Sequence, residues 1–207
     1  MWPRKSTERA LSNLLDSLIA ADRRLFQFLN SCHADFLDQP FFWISSDWFW
    51  IPLYILFIFL IVRKLKKSSL VAIGLIVAAV ILSDQGANLL KKSVKRLRPT
   101  HDLVLAPTVH TVNEYRGGTY GFVSSHAANT FCVAWLISTF LSLPPIFVTM
   151  LFIWATIVTY SRIYLGVHFP LDVVCGALLG LFIASLSNEI WKKYKKKFDP
   201  KQSLPKD

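Results

Sequence analysis

No charged residue occurs between Ala127 and Ser161, a run too long for a single bilayer pass. Acidic side chains are scarce overall, 13 Asp and Glu against 23 Lys and Arg. Cysteine is scarcer still, and Cys32, Cys132 and Cys175 are odd in number and far apart. Such spacing excludes a disulfide framework or a thiolate metal site and leaves buried thiols as the expectation. There is no Gly/Ser linker, no low-complexity stretch and no internal repeat, which points to one compact domain. The start, Met1-Trp2-Pro3-Arg4-Lys5, is basic but leads into no apolar core with a small-residue cleavage site, so no removed signal peptide is expected.

What the chain does have is apolar sequence in blocks. Hydrophobic residues make up 53% of it and its mean hydropathy is +0.41, too apolar for an ordinary soluble domain. Residues 10–29 place Leu11, Leu14, Leu15, Leu18, Ile19, Leu25, Phe26 and Leu29 at spacings of three and four, with Asp22 breaking the stripe. This predicts an amphipathic helix lying in the membrane interface, with a poorly formed first span as the alternative. Further spans are predicted over Phe41–Val62, with Trp43, Trp48 and Trp50 as an aromatic belt, and over Leu70–Leu90. Leu143-Pro144-Pro145 divides the uncharged run into two more helices, and a last span starts near Pro170 and carries Gly176 and Gly180. The expected fold is therefore all-α: a polytopic membrane helix bundle of about five transmembrane helices plus an N-terminal amphipathic helix.

A pI of 9.7 would suit a nucleic-acid binder, but the positive charge is clustered beside apolar spans, at 63–67 and 192–197. Clusters so placed report membrane orientation. Four spans separate them, so both are expected on the cytoplasmic side. The loops 91–126 and 161–172, which hold the unusual polar residues, then share the opposite face.

Three groups of residues on that face carry chemistry. Asp84, Asn88, Lys91, Lys95 and Arg98 follow at spacings of four, three, four and three, so a helix continuing to Pro99 would align them on one face. Basic residues at a helix end often snorkel. Kept on the outer side, against the positive-inside trend, they instead suggest an anionic ligand. Ser124 and Ser125, just before an uncharged helix, suit an N-cap and equally suit a phosphate cradle; His126 adds a group that exchanges protons near neutral pH. In the stretch 161–172, Arg162 supplies a planar donor. His168 lies four residues before Asp172, so a ring N–H to carboxylate bond can fix its tautomer and free the other nitrogen to attack. His126, His168 and Asp172 are also conceivable zinc ligands, yet Lys91, Arg98 and Arg162 around a dication would be electrostatically poor, and no HExxH spacing occurs. No metal and no cofactor are expected.

Taken together, the three groups resemble the type 2 phosphatidic acid phosphatase (PAP2) superfamily, whose pattern is K-x6-RP, then PSGH, then SR-x5-H-x3-D. Lys91 and Arg98-Pro99 match the first piece; Ser161, Arg162, His168 and Asp172 match the third. In the second, Val123 and Ser125 depart from the proline and glycine, while Ser124 and His126 are kept. The resemblance implies that His168 attacks phosphorus to give a phosphohistidine, that Asp172 orients it, and that His126 protonates the leaving oxygen and then activates water. Lys91, Arg98, Arg162, Ser124 and Ser125 are implied to bind the substrate phosphate.

The implied protein is a lipid phosphatase of the bacterial inner membrane with an extracytoplasmic site. Its substrate is expected to be a membrane lipid with a phosphate headgroup, met in the bilayer, with no nucleic-acid partner. Undecaprenyl diphosphate is preferred on size and economy; lipid A (1- or 4'-position) and phosphatidylglycerol phosphate are the alternatives. The non-enzymatic alternative is an anionic-lipid transporter or scaffold. The expected organisation is an N-terminal interfacial segment 1–40, a catalytic transmembrane domain 41–191 and a basic cytoplasmic tail 192–207. The loop Asn113–Tyr120 is read as either a lid over the headgroup, with Arg116 toward a second phosphate, or a plain connector; His101 and His110 are read as solvated.

Overall fold

A computed structural model describes residues 4–198 of the chain. Among the described residues the architecture is entirely helical, with no named strand. The seven α-helices are α1 (Arg4–Ser31), α2 (Asp35–Ile44), α3 (Ile51–Leu65), α4 (Ser69–Val94), α5 (Ser125–Phe140), α6 (Pro145–Tyr164) and α7 (Pro170–Phe198), joined in part by short 3-10 turns. Among the described residues three stretches are long and apolar enough to cross a membrane: Asp47–Val94, Pro145–Tyr164 and Pro170–Phe198. The first holds 48 residues, folded back on itself where Lys66 takes a positive φ of 49° between α3 and α4.

α5 is the centre of the bundle, packed by α4, α6 and α7. Its sixteen residues rise about 24 Å, short of a bilayer core of about 30 Å. Apolar and small residues run all round it, as befits a helix with no lipid-facing side, and Cys132, Ala134, Leu136 and Ile137 are buried. By contrast Ile55, Phe59, Ile81, Leu82, Met150, Ile153, Leu178, Phe182 and Leu186 on the outer helices are exposed apolar side chains, the surface of a membrane protein. α5 and α7 approach at backbone distance. A Cβ on Gly176 would come within 2.4 Å of the Ser124 carbonyl oxygen, and one on Gly180 within 2.0 Å of the Ala128 carbonyl oxygen. The Gly176/Gly180 pair therefore brings the start of α5 against the start of α7, the small-residue packing of membrane helices.

At the other end of the bundle, Lys64 donates to the Leu141 carbonyl and Trp191 packs on Phe140, with ring centroids 4.8 Å apart. The basic ends of α3 and α7 thus sit beside the C-terminus of α5, remote from its N-terminus. α7 continues unbroken through the basic run to Phe198, so no break falls at 191; residues 199–207 of the expected tail lie outside the described residues.

Four local expectations are corrected. The span expected over Phe41–Val62 is two helices, broken at Ser45-Ser46 with a 3-10 turn over Asp47–Trp50, and the boundary expected at 40–41 falls inside α2. Trp43 and Trp48 are exposed, whereas the half-buried Trp50 donates its indole N–H to the Ile44 carbonyl and staples the break. α4 stops at Val94 because Lys95 turns left-handed, φ 52°, so Lys95 and Arg98 do not continue the helical face of Lys91. Arg98 is extended (ψ 158°), the conformation that a following proline favours.

The fourth concerns α1. Asp22 interrupts the apolar stripe because it belongs to the docking face. Asp22, Phe26 and Asn30 are buried at spacings of four, while Leu11, Leu14, Leu15, Leu18 and Ile19 face outward. Phe26 packs edge-on against Phe169, and Arg23 pairs with Asp102 at 2.5 Å. Asn30 donates to the carbonyls of His110, Ile163 and Tyr164 and accepts from the His110 N–H, clamping the exit of α6.

Candidate active site

Every residue from Ser161 to Pro170 is buried, as is Asp172, so this stretch is no ordinary surface loop. α6 carries Arg162 in its last turn, a short turn carries His168, and α7 opens with Pro170 and presents Asp172 in its first turn. The segment 119–121 runs antiparallel to 96–98: the Arg98 N–H donates to the Thr119 carbonyl and the Gly121 N–H to the Arg96 carbonyl. Gly121 thereby lies over the histidine–aspartate pair, where a Cβ would stand 2.9 Å from Asp172 Oδ2.

His168 is 1% exposed. Its Nε2 lies 3.1 Å from Arg98 Nη1, and a guanidinium can only donate, so Nε2 carries the lone pair and the ring proton belongs on Nδ1. Nδ1 faces Asp172 Oδ2 at 3.4 Å, an approach that falls short of the expected hydrogen bond. The carboxylate is held from its other sides: Oδ2 accepts the Phe169 N–H at 3.0 Å and Oδ1 accepts from Arg96 at 2.8 Å. Burial, then the charges of Arg98, Arg162 and Lys91, hold the His168 ring well below the usual imidazole range. It is therefore neutral at physiological pH, as a nucleophile must be.

Three cations converge here. Arg98, buried, also donates to the carbonyls of Tyr120 and Val167; burial and the neighbouring Arg162 lower its pKa to about 10, which leaves it protonated at neutral pH. Arg162, buried as well, donates to the Ser45 hydroxyl and, through Nη2, to the Tyr115 hydroxyl at 3.0 Å, while its Nε has no partner among the described residues. Lys91 donates to Ser125 Oγ at 2.5 Å and to Asn88 at 3.3 Å. Buried donors held beside an electron-rich nitrogen are what an incoming phosphate requires.

Ser124 is the N-cap of α5. Its hydroxyl accepts the Ala127 N–H, and its own N–H is taken by the Asp172 carbonyl. Of the two serines, only the Ser125 hydroxyl meets a cation. His126 lies within electrostatic reach of Arg162, His168 and Arg98, and its Nε2 stands 3.7 Å from Asp47 Oδ1. It opens onto a cavity of about 500 Å³ between α3, α4 and α5. Asp84 and Asn129 line its polar end with His126, and Ile61, Ile73 and Ile137 line the apolar end. From Asp84 to Ile73 along α4 is about 16 Å.

The structure thus brings Lys91, Arg98, Ser124, Ser125, His126, Arg162, His168 and Asp172 to one end of α5, with Lys95 turned out to the surface. Sequence reasoning missed Arg96, Asp22, Ser45 and Tyr115. Only the buried-stripe position of Asp22 gave any local signal. The loop Asn113–Tyr120 rests on the site through Tyr115 and Tyr120, with Arg116 exposed. His110 is not simply solvated: its Nε2 lies 2.9 Å from Asp38 and its ring stacks on His33 at 3.8 Å. His101 is half-buried, with Nδ1 3.1 Å from the Thr100 hydroxyl.

This geometry has relatives. The lipid A 4'-phosphatase of Porphyromonas gingivalis is 33% identical over 184 residues, which cover 86% of this chain and 75% of that one. The undecaprenyl-diphosphatase of Sulfolobus acidocaldarius is 30% identical over 171 residues, covering 80% and 76%. Among solved structures, LpxE of Aquifex aeolicus superposes with a TM-score of 0.65 at 26% identity, over 80% of this chain and 93% of that one. The sequence model of the PAP2 superfamily matches residues 69–196, and with it the chain belongs to that superfamily as a membrane lipid phosphatase.

Proposed function

We propose that the chain removes a phosphate from lipid A through a phosphohistidine on His168, at the extracytoplasmic face of the inner membrane. The observation that carries the mechanism is the arrangement at His168: a buried, neutral ring whose Nε2 lone pair meets Arg98, with Arg162 and Lys91 within electrostatic reach. In the first step Nε2 bonds to phosphorus and the bond from phosphorus to the leaving oxygen breaks, with His126 delivering its proton to that oxygen. The ring, now phosphorylated on Nε2 and protonated on Nδ1, is positive and faces the Asp172 carboxylate. In the second step the neutral His126 takes a proton from water and the water oxygen attacks phosphorus. The P–N bond then breaks, releasing phosphate and neutral His168. The cations, with Ser125 turned toward Lys91, hold the equatorial oxygens throughout.

The choice of lipid moves away from the undecaprenyl diphosphate expected from size and economy. Support for lipid A comes from the lipid A 4'-phosphatase relative, at 33% identity over 86% of this chain. The apolar cavity beside His126 suits one hydrocarbon chain of a substrate whose other chains stay in the bilayer. Undecaprenyl diphosphate is the second reading, on the relative named for it. A panel on purified full-length protein decides: mass spectrometry should show loss of one phosphate from bis-phosphorylated lipid A. Faster turnover of undecaprenyl diphosphate or phosphatidylglycerol phosphate would reject the lipid A reading and leave the phosphohistidine chemistry standing.

A further inference from the structure

Arg96 belongs to none of the three motifs, yet it joins the N-terminal helix to the reaction centre. Its Nη1 donates to Asp172 Oδ1 at 2.8 Å and its Nη2 to Asp22 Oδ2 at 2.5 Å, so one guanidinium bridges two buried carboxylates. The plane of the guanidinium is fixed from a third direction, with Cζ 4.1 Å from the centroid of the Phe169 ring. Phe169 in turn is braced by Phe26 of α1. Asp22 does not hold Arg96 alone: its Oδ1 accepts the Leu171 N–H in the first turn of α7 at 2.8 Å. α1 therefore grips both the arginine and the backbone beside Asp172.

The division of labour at Asp172 gives this bridge a chemical consequence. Arg96 takes Oδ1, which leaves Oδ2, with the Phe169 N–H, as the oxygen that faces His168 Nδ1. Forming the phosphohistidine puts positive charge on the ring, and an anionic Oδ2 at fixed distance is what stabilises it. A carboxylate with no solvent exposure needs a counter-charge, which Arg96 supplies through one N–H on Oδ1, while the Phe169 N–H on Oδ2 fixes the carboxylate from its other oxygen. Asp22 completes the balance, since Arg96 between two carboxylates cannot swing toward the substrate anion.

We propose that Arg96 is a positioning residue for the His168–Asp172 pair, held in place by Asp22, so that docking of α1 is part of assembling the reaction centre. This rests on the reading of His168 as nucleophile and Asp172 as its partner.

The test uses full-length protein in detergent micelles, with kcat, KM, alkaline-quenched phosphohistidine and thermal melting followed for Arg96→Gln, Arg96→Lys, Asp22→Asn and the double variant. Arg96→Gln should lower kcat by about a hundredfold with KM little changed, and Asp22→Asn by about tenfold, in the range that partners of catalytic groups cost. Arg96→Lys should recover part of the loss, because charge returns without the fork. Asp22→Asn combined with Arg96→Gln should be no worse than Arg96→Gln alone, because Asp22 acts through the arginine. Unchanged kcat and phosphohistidine in both single variants, with His168→Ala inactive, would overturn the inference. So would strictly additive losses that track the melting temperature, which mark a scaffold. Should Arg96→Gln not fold, the near-isosteric Asp22→Asn decides alone: full activity rejects the proposal. Full activity of His168→Ala would instead reject the reading on which it rests.

Discussion

The two histidines of the site are built in opposite ways. His168 is 1% exposed, with an arginine on one ring nitrogen and a carboxylate facing the other. His126 has a side chain 26% exposed, its nearest carboxylate is 3.7 Å away on the exposed Asp47, and it opens onto an apolar cavity. The difference follows from what each must meet. A nucleophile attacks one atom, phosphorus, and gains from being fixed and desolvated. In the proposed mechanism a proton donor to a leaving group must follow the oxygen of whatever lipid enters, and His126 lines the apolar cavity that such a lipid would occupy. In that mechanism, rigidity and adaptability fall to the two ends of one reacting bond.

The contrast can be broken experimentally, the largest effect first. His168→Ala should reduce phosphate release to background, a loss of about ten-thousandfold or more, since no other group at the site replaces a buried nucleophile. A lipid phosphate assay in micelles measures this. His126→Ala should cost about a hundredfold to ten-thousandfold with lipid substrates. With an aryl phosphate whose leaving group needs no proton, phosphohistidine should still form and should accumulate, because the second step lacks its base. No phosphohistidine from the aryl phosphate in this variant would mean that the two histidines do not divide the work as described.

Arg98→Met should lower kcat/KM by about a hundredfold, the usual cost of one transition-state donor, and should also alter the pH profile. A depressed pKa keeps His168 neutral as pH falls, so wild-type activity should persist below about pH 6.5, the ordinary imidazole value. Removing one of the cations that depress it raises that pKa, so the acid limb of kcat/KM should move to higher pH. A limb that stays in place would assign it to another group. The smallest effect is the most diagnostic of chemistry: vanadate should inhibit by occupying the phosphate site, whereas EDTA should leave the rate unchanged. Strong EDTA inhibition would revive the zinc alternative.

Much of this was legible in the sequence because it depends on local rules. The uncharged run with its two prolines gave α5 and α6, since a proline cannot sit inside a helix but can start one. The spacing from Ser161 to Asp172 fixed a helix end, a turn and a helix start, and the structure puts them where that spacing requires. Less legible was where helices stop. The three-and-four spacing of Lys91, Lys95 and Arg98 fits a helix that never forms, because periodicity gives register and not length. Pro99 held the correcting clue, since it disfavours helical backbone at Arg98. Least legible were Arg96 and Asp22, separated from their partners by more than seventy residues. One sequence carries no trace of such a pairing beyond a carboxylate standing out of place in an apolar stripe.

The glycine seam between α5 and α7 has a consequence for the membrane around it. Spacing between these two helices is set by main chain against main chain at Gly176 and Gly180, which leaves no flexible side chain to give way. A bilayer that thickens or thins must then be accommodated by tilt in the outer helices, where apolar side chains meet lipid. The distance between the start of α5 and the start of α7, and with it the distance between His126 and His168, is then expected to change little with the thickness of the surrounding bilayer.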